Sequence, residues 1–90
     1  MVIVHNTMED LVFRYIDKAF QREEADMCKC ERCRMDVAAI ALNNLPTKYV
    51  ATDKGEIYVK IQEMEIQYVV DVIREVTIAM GKVKVHPSHQ

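Results

Sequence analysis

The segment CKCERC, residues 28–33, holds all three cysteines of a 90-residue chain. Thiolates spaced C-x-C-x2-C can converge on one cation when a short irregular loop turns their sulfurs inward, and soft sulfur suits zinc or iron. Cys28, Cys30 and Cys33 are therefore the candidate metal ligands, and the x2 step between the last two is a common half-site spacing. Lys29, Arg32 and Arg34 stand beside them, where positive charge could offset several thiolates on one divalent ion. An odd, tightly clustered set of cysteines fits a metal or redox role better than a disulfide framework. A C-x2-C redox pair is the competing reading, but its usual βαβ setting is absent from a helical pattern. A closed structural site takes four ligands, so three thiols leave one place. His5, His86, His89, Asp26, Glu31 or a side chain from another subunit could fill it, and no spacing singles one out. No general base stands at a spacing such as H-E-x-x-H, so the centre reads as structural.

The elements around the cluster follow from hydrophobic period. Met8, Leu11, Val12, Tyr15, Ile16, Ala19 and Phe20 recur at helical spacing, with Thr7 as the expected N-cap and Glu9 and Asp10 in the first turn. This predicts a first helix over 7–24. The period then lapses, leaving a cysteine loop over 25–33. Met35, Ala38, Ala39, Leu42 and Leu45 mark a second helix over 34–45, stopped by Pro46. PTKYVATDKGE reads as a polar connection with a DKG turn, unless YVAT pairs as a strand. From Ile57 to Met80 there is neither Gly nor Pro, and Gly81 stands where a terminating glycine would, so a long third helix is expected over 57–80. The remaining KVKVHPSHQ reads as a frayed or strand-like tail.

The third helix carries two apolar stripes, one of Ile57, Ile61, Met64, Tyr68 and Val72, the other of Ile66, Val69, Val70, Ile73, Val76 and Met80. Two shorter helices in so small a chain cannot cover both, which predicts that the second stripe meets another copy. The expectation is one all-α domain over residues 1–90, three main helices with a cysteine-rich zinc loop, forming a symmetric homodimer.

Composition excludes several classes of function. Twelve basic and 14 acidic side chains give a net charge of −2, so no whole-molecule field draws the chain to nucleic acid. Lys82 and Lys84 are too few to track phosphates, and direct DNA binding is not expected. No basic leader or spanning apolar run is present, which predicts a cytoplasmic protein away from membranes. There is no nucleophile elbow, phosphate-binding loop or dinucleotide fingerprint, so no enzyme is expected.

The run CKCERCRMDVAAIALNNLPTKYV, with Ala41, Leu42, Asn43, Leu45, Pro46 and Tyr49 its most specific part, resembles the late competence development ComFB family over nearly the whole chain. The resemblance implies a small, mainly helical, zinc-binding homodimer associated with bacterial competence for DNA uptake, with competence proteins as partners. It implies a zinc site of four cysteines, where this chain has three. It also implies a cyclic dinucleotide, c-di-GMP or c-di-AMP, as ligand. Residues suited to one are Lys48, Thr52 and Lys54 as phosphate donors, Tyr49 as a stacking ring, and Asp53 as an acceptor for a guanine edge. The alternatives are that TKYVATDKG is only a polar turn, and that the protein is an accessory of the competence machinery without a small ligand.

Overall fold

The computed structural model describes residues 1–22 and 26–87. In chain order it contains strand β1 (Val2–Asn6), helix α1 (Thr7–Phe20), helix α2 (Glu31–Asn43), strand β2 (Tyr49–Asp53), a 3-10 turn (Lys54–Glu56) and helix α3 (Ile57–Val85). The fold is mostly helical but not all-α, because β1 and β2 form an antiparallel pair, with Val2 opposite Asp53 and Asn6 opposite Tyr49.

Two strands alone are marginal in water, and here they lean on the first helix. Alternation puts Ile3, His5, Val50 and Thr52 on the covered side, with Thr52 5% exposed, while Val2, Val4, Tyr49 and Ala51 face out. The strand alternative for YVAT therefore holds, and its partner is the N-terminal VIV segment.

Strand β1 runs directly into α1, and the junction is set by Asn6, not Thr7. The Asn6 Oδ1 accepts the Met8 N–H at 3.2 Å as the N-cap, and also the Lys48 N–H at 2.9 Å. Thr7 becomes the first helical residue and is fully buried. Its N–H and its hydroxyl both donate to the Lys48 carbonyl, at 2.9 and 3.0 Å. Thr7 is displaced from the cap because only the longer Asn6 side chain serves donors on two segments at once.

Helix α1 closes at Phe20 with Gln21 as its C-cap, and residues 23–24 of the expected helix lie outside the described residues. Helix α2 begins three residues before the expected 34, because the Cys30 sulfur accepts the Cys33 N–H and caps it. It ends at Asn43, not 45, ahead of Pro46. Its buried face is Cys33, Val37, Ala38 and Ala41, leaving the expected Met35 and Ala39 exposed.

Helix α3 passes through Gly81 and takes in Lys82–Val85, where a stop and a strand-like tail were expected. Gly81 does not adopt positive φ, so it makes no terminating turn. A mid-helix glycine costs about 1 kcal/mol relative to Ala. Burial of Ala79 and Val83 against α2 offsets that cost.

The three helices pack pairwise around one core of Met8, Leu11, Val12 and Ile16 from α1, the buried face of α2 with Leu45, and Ile61, Val72, Val76, Ala79 and Val83 from α3. Two polar clamps fix the crossings. Arg34 at the start of α2 makes two hydrogen bonds to the Asp17 carboxylate, at 2.8 and 3.0 Å, while its guanidinium lies over Phe13. Arg14 and the Tyr15 hydroxyl both donate to Glu65 of α3. The Arg34 hydrogen bonds lower the Asp17 pKa, and the Tyr15 hydrogen bond lowers that of Glu65.

Replacing Asn6 by Ala removes a cap and strands the Lys48 N–H, a combined loss of about 2 kcal/mol. The expected thermal midpoint falls by about 10 °C. Asn6→Asp, which keeps the acceptor, should lose much less; equal melting of both variants in a calorimetric scan would contradict this role.

Candidate metal centre and candidate ligand groove

The loop after α1 and the first turn of α2 deliver the three cysteines to one place. Cys28 and Cys30 lie in the loop and are exposed, whereas Cys33 is carried inward by the first turn of α2 and is buried. Their sulfurs all lie within 4.8 Å of one another. Tetrahedral zinc with bonds of about 2.3 Å needs sulfurs roughly 3.8 Å apart, so a small contraction of an exposed loop accommodates the ion. The donor set fits a soft cation.

The electrostatics differ from one thiol to the next. The Cys33 N–H, 3.4 Å from the Cys30 sulfur, leads the effects that lower the Cys30 pKa, followed by the Cys28 thiol. The positive end of α2 favours a thiolate at the same position. Burial pushes the Cys33 thiol up to about 12, reinforced by its two sulfur neighbours. A bound cation reverses that balance, since metal ligation requires the thiolate.

The flanking cations do not face the sulfurs as the sequence suggested. Arg34 is held by Asp17, Arg32 pairs with Asp36 at 3.3 Å, and the Lys29 ammonium donates to the Arg22 carbonyl at 3.4 Å. Each is thus engaged with an oxygen partner. Among the described residues no His, Asp or Glu joins the three sulfurs. His5 is paired with Asp10, Asp26 lies 3.9 Å from Lys84, and Glu31 and His86 are exposed. His89 lies outside the described residues.

A second feature lies on the far side of the Asn6 junction. Lys48, Tyr49 and Val50 face Lys60, Glu63, Met64, Gln67 and Tyr68 of α3 across a groove of about 330 Å³. The Lys48 ammonium sits 5.1 Å from the centre of the Tyr68 ring. Of the five residues suited to a dinucleotide, only Lys48 and Tyr49 line this groove. Thr52 is buried, with its hydroxyl donating to Glu56 at 2.7 Å. The Asp53 carboxylate lies 3.7 Å from the N-terminal ammonium, and Lys54 sits exposed in the 3-10 turn. None of those three lines the groove.

The structure adds Lys60, Gln67 and Tyr68 to the groove. Lys60 and Gln67 are two helical turns apart and Tyr68 adjoins them, so their common face was readable from spacing. That this face lies opposite Tyr49 depends on the β1–β2 pairing.

No protein of curated function matches the chain by sequence. A solved structure described as a structural characterization of the late competence protein ComFB from Bacillus subtilis is similar, with a TM-score of 0.78 and 25% identity, covering 96% of this chain and 93% of that one. The family model for the late competence development protein ComFB matches residues 5–87. With all three helices, strand β2 and the cysteine loop inside that match, the chain belongs to the ComFB family.

Proposed function

We propose that this chain is a non-catalytic, zinc-stabilised homodimer of the cytoplasm that acts in competence for DNA uptake as a receptor for a cyclic dinucleotide, c-di-GMP or c-di-AMP. The observation that carries the reading is the groove, which combines two tyrosine rings, two lysines and an amide, the groups needed to stack a base and hold a phosphate. Its volume falls near the lower end of the roughly 300–1,000 Å³ usual for small-molecule sites, enough for one base and its phosphate. Ligand contacts then come from Lys48, Tyr49, Lys60, Gln67 and Tyr68, with Thr52, Asp53 and Lys54 supporting the strand and turn from outside.

The dimer reading rests on α3. Ile66, Val70 and Ile73 recur at i, i+4 and i+7 on the side turned from the core, and are 85%, 71% and 46% exposed. The rest of the expected second stripe is already covered, Val76 fully and Val69 and Met80 in part. A two-fold contact needs only one self-complementary patch, so a second copy of α3 is a sufficient partner. In such a dimer, grooves near the two-fold axis would suit a two-fold ligand. The same exposed face favours the second reading, an accessory protein that binds a competence protein there instead.

Zinc, held by Cys28, Cys30 and Cys33, would tie the loop after α1 to the start of α2. The no-enzyme reading stands on the sequence argument, and no described helix is long and apolar enough to cross a membrane.

Elemental mass spectrometry should find one zinc per chain in the wild type and none in Cys30→Ser, whose thermal midpoint should drop by about 10 °C, since metal binding is part of folding. Equal metal and melting would eliminate the structural site. Native mass spectrometry should give a dimer, with Ile73→Asp shifting it to monomer by placing an unpaired charge in the contact; a monomeric wild type sinks the dimer. In a thermal-shift titration, c-di-GMP or c-di-AMP at 100 times its dissociation constant should stabilise the protein by about 2.7 kcal/mol. No shift at millimolar ligand, with a dimer intact, would favour the accessory reading.

A further inference from the structure

We infer that the Lys48 side chain is a specificity-determining gate on the Tyr68 ring, admitting planar ligands that carry an anionic group and disfavouring neutral ones. The inference rests on the reading of the groove as a nucleotide site and adds how that site discriminates.

The backbone of Lys48 is pinned. Its N–H donates to Asn6 Oδ1, and its carbonyl accepts from both the N–H and the hydroxyl of Thr7. Only the four-carbon stem is left to move, and it places the ammonium 5.1 Å from the Tyr68 ring centre, within cation–π range. The ring is half-buried on α3 and lines the groove, with Tyr49, 64% exposed, on the opposite wall. Lys60 and Glu63 are the other charged groups lining it.

A flat base stacking on the face of Tyr68 competes with that ammonium. A neutral base displaces the cation, forfeits the cation–π contact and returns nothing for it. A base bearing a phosphate gives the displaced ammonium a stronger partner, a charge-assisted hydrogen bond reached by rotation of the flexible stem. Lys60 adds a second positive charge, and Glu63 opposes an anion until Lys48 turns to meet it. The selected class is therefore a heteroaromatic ring joined to an anion, a nucleotide and not a nucleoside.

The test measures binding to the full, metal-loaded chain by calorimetry and NMR titration for the wild type, Lys48→Met and Lys48→Arg. The probes are c-di-GMP and c-di-AMP, with guanosine and adenosine as neutral counterparts. Methionine keeps the stem and the pinned backbone, so the variant should melt like the wild type. Lys48→Met should bind the preferred dinucleotide about tenfold more weakly and its nucleoside about threefold more tightly, while Lys48→Arg keeps the wild-type order. Dinucleotide binding with nucleoside no tighter in Lys48→Met overturns the gate alone. A wild type that binds neither dinucleotide overturns both the gate and the receptor reading.

Discussion

One carboxamide oxygen, that of Asn6, governs the geometry of one whole end of the molecule. By accepting from Met8 it starts α1, and by accepting from Lys48 it holds the segment that leads into β2. An exposed helix cap serves one donor; here the same oxygen serves two segments from a residue only 8% exposed, where neither N–H has an easy replacement in water. The β1–β2 register follows from this contact, since Asn6 is opposite Tyr49. Tyr49 and Lys48 in turn form one wall of the groove.

The cysteine centre lies apart from that junction and is built on a different device. Cys30 replaces the usual oxygen cap of α2 with sulfur, and Cys33 is drawn into the core by the same helix. A helix start thus also gathers the thiols, and its orientation is held by the Arg34 clamp to Asp17 and Phe13. The thiols do not share one character. The raised pKa of buried Cys33 makes full ionisation of the cluster costly without a cation, whereas Cys30, whose pKa is lowered, ionises more readily.

Much of this was legible in residues read in order. The period of Met8, Leu11, Val12 and Ile16 marks α1, and all four are core residues. The run from Ile57 marks α3; of its expected second stripe Ile66, Val70 and Ile73 stay exposed, while Val76 is buried and Val69 and Met80 are half-buried. Two errors share a cause. Thr7 is the better cap by local pattern and Gly81 the better stop, but each judgement weighed only near neighbours. Asn6 wins because of Lys48, 42 residues away, and helix α3 outlasts Gly81 because α2 covers Val83.

The sequence by itself determined the family, the three helical periods and the spacing that lets three sulfurs meet, because these are properties of residues within a few turns of one another. Tertiary structure alone decided that the N-terminal arm is a strand, that Arg34 serves Asp17 and not the thiolates, and that Tyr68 and Lys60 join Lys48 and Tyr49 while Thr52, Asp53 and Lys54 do not. Each of those outcomes is a competition between distant partners for one polar group or one patch of buried surface. Such competitions are settled by which contacts can form together in three dimensions, and no local pattern encodes that.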